Sequence, residues 1–205
     1  MSKTDWFRRR RWTAKDKEEF FSRLGRTRTD YSKAQYLRIQ AYTLQTGATP
    51  PDYLAALDLL DYIFREVPEP DQMPSAYLQR ATCLEALGRN EEATQAFREA
   101  ILRGINKNGV QTTDAPVHFA RFVLRNNLKG MYDEALAGLK GCDLVGILPN
   151  SQYLLNAVMA IIGSETGRAK EAKKYALKAL EIAKHADLQD GDDFIYNKIV
   201  QLVSG

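Results

Sequence analysis

The stretch Gly130-Met131-Tyr132-Asp133-Glu134-Ala135-Leu136 recurs in altered form at three other places in the chain. The closest copy runs from Gly88 to Thr94, and looser copies begin at Gly167 and, across a longer turn, at Gly47. Each copy places a turn glycine before a small residue and an amphipathic helical pattern. A chain that repeats this unit is predicted to stack helical hairpins.

The helical patterns on either side of these turns predict an all-α chain in three parts. Thr13 and Asp16 form a variant capping box, which predicts a leading helix behind a basic and aromatic arm. Ile195 and Ile199 fall on one face of a last helix, which is typical of the cap that closes a helical stack. The parts are the arm and leading helix at 1–32, four hairpins at about 33–68, 74–103, 115–148 and 151–186, and the capping helix at 187–205.

The composition is that of a soluble globular protein. Of the 205 residues, 44% are hydrophobic and 27% are charged, so folding requires no disulfide or metal. Cys83 and Cys142 lie alone in helical patterns and are predicted to be reduced, buried residues. The amino terminus lacks a secretory signal, and the longest aliphatic run, 157–162, is far shorter than the roughly 18 residues of a membrane span. These features predict a cytoplasmic location.

Residues in all four hairpins occupy the signature positions of a known repeat. They are Tyr36, Gly47, Ala56 and Pro68 in the first hairpin; Tyr77, Ala81, Leu84, Gly88, Ala93, Phe97 and Ala100 in the second; Phe119, Gly130, Tyr132, Ala135 and Leu139 in the third; and Ala160, Gly167, Ala172, Ala176 and Ala179 in the fourth. Over residues 33–186 the chain resembles the tetratricopeptide repeat, a helix-turn-helix unit of about 34 residues. The resemblance implies a right-handed superhelical α-solenoid of about four hairpins with flanking N- and C-terminal helices. The opening pattern from Trp6 to Ala41 also resembles a group of uncharacterised bacterial repeat proteins, which implies a bacterial origin.

The spacing of the turns departs from the family pattern. The glycines are separated by 41, 42 and 37 residues, and every interval exceeds the family period. We therefore expect insertions in the turn after Gly47 and in the linkers near 104–114 and 141–150.

The resemblance also implies a binding groove, because the first helix of each hairpin lines the concave face in this family. With the turn glycines as register marks, Arg38, Gln79 and Arg121 would occupy equivalent positions and could hold a carboxylate or a peptide backbone. The alternative is that loops or the leading helix fill the groove. The predicted groove residues are Leu37, Arg38, Ala41, Leu78, Gln79, Thr82, Arg121, Leu124, Leu128 and Ile161.

The basic character of the chain is local to the segment Trp6-Phe7-Arg8-Arg9-Arg10-Arg11-Trp12 and its surroundings. The first 40 residues hold 12 Lys and Arg against 5 Asp and Glu, whereas the remainder holds 17 against 21. Arg8, Arg9, Arg10 and Arg11 could contact phosphates of a nucleic acid or an anionic membrane surface while the rings stack. The alternative is a folded-back arm whose rings pack on the first hairpin, and the negative balance of the remaining chain favours it.

Motifs for catalysis are missing from the sequence. It contains no glycine-rich phosphate loop, paired-histidine zinc motif or serine elbow, so no catalytic, cofactor-binding or metal-binding residue is assigned. We expect a non-catalytic interaction module, acting as an adaptor, scaffold or inhibitor, that binds a peptide or partner protein in the groove. The alternatives are nucleic-acid or anionic-surface binding through the arm, and an immunity-type inhibitor of a bacterial toxin, which rests on fold analogy. Self-association remains a further option.

Overall fold

A computed structural model of the chain describes residues 5–140, 149–186 and 193–204. The chain divides into two compact units, Met1–Gly104 and Ile105–Gly205. The described residues form ten α-helices, and their only β-type pairing is an isolated bridge between Ile105 and Gln111. The predicted all-α fold class is therefore confirmed.

The first unit consists of the arm, a leading helix and two hairpins. The capping box forms as predicted, since the backbone N–H of Asp16 donates to Thr13 Oγ1 and that of Thr13 donates to Asp16 Oδ2, at 3.3 and 3.1 Å. The hairpin helices pack through fully buried side chains such as Leu44, Leu60 and Phe97. The helices are α1 (Ala14–Leu24), α2 (Asp30–Thr46), α3 (Tyr53–Glu66), α4 (Met73–Ala86) and α5 (Asn90–Arg103), with a 3₁₀ turn at Pro70–Gln72.

The second unit contains two hairpins and a terminal helix. Its core includes Phe119, Phe122 and Ile162, and α10 adds the fully buried Ile195 and Ile199. A stripe of small residues on α9 is buried and lets α8 approach closely. The stripe is Ala172, Ala176, Ala179 and Ala183. The helices are α6 (Ala115–Arg125), α7 (Tyr132–Lys140), α8 (Pro149–Glu165), α9 (Ala169–His185) and α10 (Asp193–Ser204), with a 3₁₀ turn at Lys129–Met131.

Three hairpin turns share one hydrogen-bond pattern. Gly88 adopts a left-handed φ of 72°, its N–H donates to Glu85 O at 2.9 Å, and the next N–H, from Arg89, donates to Leu84 O at 2.9 Å. Gly167, with a φ of 80°, and Asn127, with a φ of 54°, repeat these two bonds at the ends of α8 and α6. This is the Schellman motif, in which a left-handed residue satisfies the last carbonyls of the helix.

The expected register of the turns is wrong at two of the four glycines. Gly130 lies in the 3₁₀ turn, three residues after the left-handed Asn127, and Gly47 has a φ of −104°. The left-handed residue that closes α6 is Asn127, so α6 ends at Arg125. The three added residues before α7 account for the unequal intervals between glycines.

Buried alanines give a more regular register. They are Ala41, Ala81, Ala120 and Ala160, each at most 1% exposed and separated by 40, 39 and 40 residues. In this register the counterpart of Gln79 in the third hairpin is His118, and the counterpart of Arg38 in the second is Leu78. The predicted equivalence of Arg38, Gln79 and Arg121 is therefore incorrect.

Cys83 is buried in α4, and desolvation raises the pKa of its thiol to about 12. A thiol with so high a pKa stays protonated and unreactive near neutral pH. Cys142 and the linker 141–148 lie outside the described residues.

Candidate functional site

The described part of the arm, from Asp5 to Thr13, packs against α1 and α2. The ring centroid of Trp6 lies 5.3 Å from that of Phe20 and 5.1 Å from that of Tyr36. Phe7 stacks on Tyr36 at 4.5 Å, and Trp12 meets Phe20 edge-on at 5.3 Å. These aromatic contacts confirm the folded-back arm.

Arg9 joins the arm to α1 and α2 through hydrogen bonds and ion pairs. Its backbone N–H donates to Gln40 Oε1 at 2.9 Å, and Gln40 Nε2 donates back to Arg9 O at 2.7 Å. Its guanidinium donates to Asp16 Oδ1 and Glu19 Oε2, both at 2.7 Å. The pKa of Asp16 is lowered, chiefly by the hydrogen bond from Thr13 and to a smaller extent by Arg9. Arg9 is thus an internal structural residue, and its predicted role in binding an external anion is not supported.

The arm, α2 and α4 enclose an open cleft of about 910 Å³ on the first unit, which we call the arginine cleft. Arg10 crosses the end of α2, where its Nε lies 3.7 Å from the position that a Cβ on Gly47 would occupy. Arg38 projects from the middle of α2, and its Nε donates to Gln72 Oε1 at 2.9 Å. The lining residues are Asp5, Arg8, Arg9, Arg10, Arg11, Asp16, Arg38, Ile39, Tyr42, Thr43, Thr46, Gly47 and Gln79.

The charges in this cleft are only partly compensated. Arg8 pairs with Asp5 at 3.5 Å, and Arg9 is held by Asp16 and Glu19. Among the residues that the structure describes, Arg10, Arg11 and Arg38 have no carboxylate partner. Burial lowers the pKa of the Arg38 guanidinium, which shows that its charge is partly desolvated. The cleft therefore offers hydrogen-bond donors that carry uncompensated positive charge.

One lining residue of the cleft carries an unsatisfied acceptor. Gln79 Oε1 is buried and receives no hydrogen bond from any described residue. An unsatisfied buried carbonyl is unfavourable by about 1–3 kcal/mol.

The structure brings only two of the predicted groove residues, Arg38 and Gln79, to this cleft. Thr82 and Leu78 are half-buried on α4, where Thr82 Oγ1 donates to Leu78 O at 3.0 Å. Arg121 and Leu128 are half-buried in the second unit. Four others are at most 3% exposed and belong to the core, so no partner reaches them in this structure: Leu37, Ala41, Leu124 and Ile161.

Sequence reasoning did not identify Tyr42, which is 53% exposed at the cleft. It follows Arg38 by four residues on α2, a spacing that places both side chains on one helix face. This spacing is the sequence signal that could have indicated Tyr42. The meeting of this face with the arm depends on tertiary contacts.

A polar cluster in the second unit contains Asp114, His118 and Ser151. Asp114 Oδ2 lies 3.3 Å from His118 Nε2 and accepts from Ser151 Oγ at 2.7 Å. The hydrogen bond to His118 is the main reason that the pKa of Asp114 falls to about 2. His118 and Ser151 both contact the carboxylate of Asp114, so the cluster joins the start of α6 to α8. This arrangement does not pair a nucleophile with a base.

Comparisons with known proteins identify the repeat. Two segments, residues 74–103 and 156–185, match the family model of the tetratricopeptide repeat. They correspond to α4 and α5 in the first unit and to most of α8 with all of α9 in the second. Searches of curated proteins and of solved structures found no match.

The helices of the described chain were also compared with membrane spans. None of them has both the length and the apolar composition needed to cross a bilayer. The family itself is typically a non-catalytic module, and its repeats generally mediate protein–protein interactions. The chain therefore contains two matched tetratricopeptide repeats, one in each unit.

Proposed function

We propose that this protein is an interaction module whose first unit binds an extended acidic segment of a partner protein in the arginine cleft. The observation that carries the proposal is that Arg10, Arg11 and Arg38 line one cleft and that none of them pairs with a carboxylate of the described residues. Carboxylates are suitable ligands because guanidinium groups bind them through short, charge-assisted hydrogen bonds.

The apolar side chains beside the arginines favour a peptide as the ligand. Ile39 and Tyr42 supply apolar surface beside the arginines, as peptide-binding grooves commonly do. The roles of adaptor, scaffold and inhibitor all rest on such binding and differ only in the partner.

The proposal is tested by fluorescence anisotropy of a labelled peptide of alternating Glu and Gly. Arg10→Gln and Arg38→Gln are each expected to raise the Kd roughly tenfold or more, because a hydrogen bond to a charged group contributes about 1.5–3 kcal/mol. Arg28→Gln is the matched control, since Arg28 is exposed and lies outside the cleft. Circular dichroism confirms that each variant is folded.

Two results would contradict this function. In the first, Arg10→Gln and Arg38→Gln bind the peptide as well as Arg28→Gln does. In the second, a single-stranded oligonucleotide binds more tightly than the peptide, in a manner that depends steeply on salt and on Arg10 and Arg11. The second result would favour the nucleic-acid alternative for the arm.

A further inference from the structure

The outward face of α9, in the second unit, is basic and has an exposed leucine at its centre. The opposite face carries the buried alanine stripe that packs against α8. Leu177 is 51% exposed. Leu177 lies in a shallow depression of about 760 Å³. We call the surface that lines this depression the lysine face. Its residues are Ala169, Lys170, Lys173, Lys174, Leu177, Lys178 and Glu181.

The other matched repeat shows that the fold does not require this charge pattern. Gly88 and Gly167 adopt the same left-handed turn two residues before α5 and α9 begin, so positions 79 residues apart correspond. In this register Lys170, Lys174 and Lys178 replace Glu91, Gln95 and Glu99. The charges of α5 are mixed and internally paired, with Arg89–Glu92 at 2.6 Å and Arg103–Glu99 at 2.9 Å.

The lysines of α9 lack such compensation. None of the four forms an ion pair with another residue in the described ranges. Lys170, Lys174 and Lys178 follow one another at intervals of four residues, a spacing at which like charges destabilise a helix. Repulsion among these lysines is offset when an anionic surface binds over them.

We propose that the lysine face is a second docking surface, which binds an acidic amphipathic helix of a protein partner. Its lysine spacing matches carboxylates repeated every four residues on a facing helix, and Leu177 supplies the apolar anchor between them. The face is about 18 Å long from Ala169 to Glu181, which is enough for three turns of a partner helix. This site is independent of the arginine cleft, which belongs to the first unit.

Other anionic partners fit less well. The lining residues include no aromatic ring or guanidinium, the groups with which proteins stack on or read nucleic-acid bases. A membrane-binding helix needs an apolar face free for insertion, but the alanine face of α9 is buried in the unit and only Leu177 projects. Charge and shape together favour a helical protein segment.

The test measures the anisotropy of a labelled acidic amphipathic peptide of about 18 residues, long enough to form a helix on binding. Lys173→Gln/Lys174→Gln is expected to weaken binding by the full chain roughly tenfold, because exposed ion pairs contribute up to about one tenfold factor together. Leu177→Ser is expected to weaken it several-fold. The matched control, Arg26→Gln/Arg28→Gln, removes the same charge from exposed positions and should leave binding unchanged.

Three outcomes would overturn the proposal. In the first, the peptide binds the lysine variants and the control with equal affinity. In the second, Arg38→Gln alone abolishes binding of the peptide, which would place the peptide in the arginine cleft. In the third, the lysine variants lose binding only to duplex DNA or to phosphatidylserine vesicles. A negative result for the lysine face does not affect the proposal for the arginine cleft, because binding at the cleft is measured with the Glu-Gly peptide and the Arg10 and Arg38 variants.

Discussion

At the scale of single residues, Gln40 joins the arm to α2 through its side-chain amide. It is fully buried in α2 and makes hydrogen bonds to both the N–H and the carbonyl of Arg9. The side-chain amide of Gln40 thus satisfies two backbone groups of the arm, the N–H and the carbonyl of Arg9. The position of the arm, and with it the arginine side of the cleft, depends on this amide.

We expect Gln40→Leu to destabilise the first unit by roughly 2 kcal/mol, because an unsatisfied buried backbone group costs about 1–3 kcal/mol and detachment of the arm relieves part of this. Tryptophan fluorescence in a urea titration measures the effect. Both tryptophans of the chain, Trp6 and Trp12, lie in the arm, so the emission of the native state should also shift to the red.

Gln35→Leu is the control for this prediction, since Gln35 lies on the same helix, is only half-buried and does not contact the arm through a hydrogen bond among the described residues. If Gln40→Leu retained both the native emission and the urea midpoint, the amide would not be what holds the arm.

At the scale of helices and turns, the third hairpin shows how local sequence sets a register. Asn127 takes the left-handed position that Gly88 and Gly167 take elsewhere, and a 3₁₀ turn then precedes α7. Asparagine tolerates this conformation better than other residues with a side chain. The turn lengthens, yet Ala135 still reaches the core of the hairpin.

The terminal helix α10 is expected to contribute strongly to the stability of the second unit. Ile199 is fully buried, so Ile199→Ala should lower the free energy of unfolding by about 2–5 kcal/mol through lost apolar burial and the cavity that remains. Circular dichroism during urea unfolding measures this effect.

Asn197→Ala is the matched control on the exposed face of α10 and should change stability little. Equal midpoints for the two variants would mean that α10 does not seal the core. The ion pair between Lys198 and Glu165, at 2.9 Å, joins α10 to the end of α8 and remains in both variants.

At the scale of the whole molecule, the chain consists of two compact units, each with two helical hairpins. The second unit begins with the loop that follows α5, where residues 105–110 are exposed. Exposed loops with little regular structure are the usual sites of first cleavage by proteases.

Limited trypsin treatment is expected to cut first after Lys107, the only Lys or Arg between Arg103 and Arg121. The products are fragments 1–107 and 108–205, identified by mass spectrometry. Lys107→Gln should abolish this cleavage. First cleavage after Arg10 or Arg11 would instead show that the arm is accessible, contrary to its packing on α1 and α2.

Much of the fold could be predicted because its signals are local. The Thr13–Asp16 capping box and the turn glycines Gly88 and Gly167 act over five residues or fewer, where the sequence itself defines the neighbours. The register of α6 could not be predicted in this way. In the sequence, Gly130 resembles the turn glycines Gly88 and Gly167, but the left-handed residue that follows α6 is Asn127.

The candidate site was predictable only in pieces. Arg38, Gln79 and the four arginines of the arm were identified as two separate features, and tertiary structure placed them around one cleft. Leu37, Ala41, Leu124 and Ile161 were assigned to an open groove but are core residues, because a helix flanked by neighbours on several sides buries more than one face.

The sequence by itself determined the helices, their pairing into hairpins and the family of the repeat, since periodic apolar residues and caps act within one helix or turn. Tertiary structure alone decided that Arg9 serves the fold while Arg10, Arg11 and Arg38 remain without carboxylate partners from the described residues. The physical reason is distance along the chain. Arg9 meets Gln40 across 31 residues and Arg38 meets Gln72 across 34, and such contacts depend on the lengths and directions of every intervening turn.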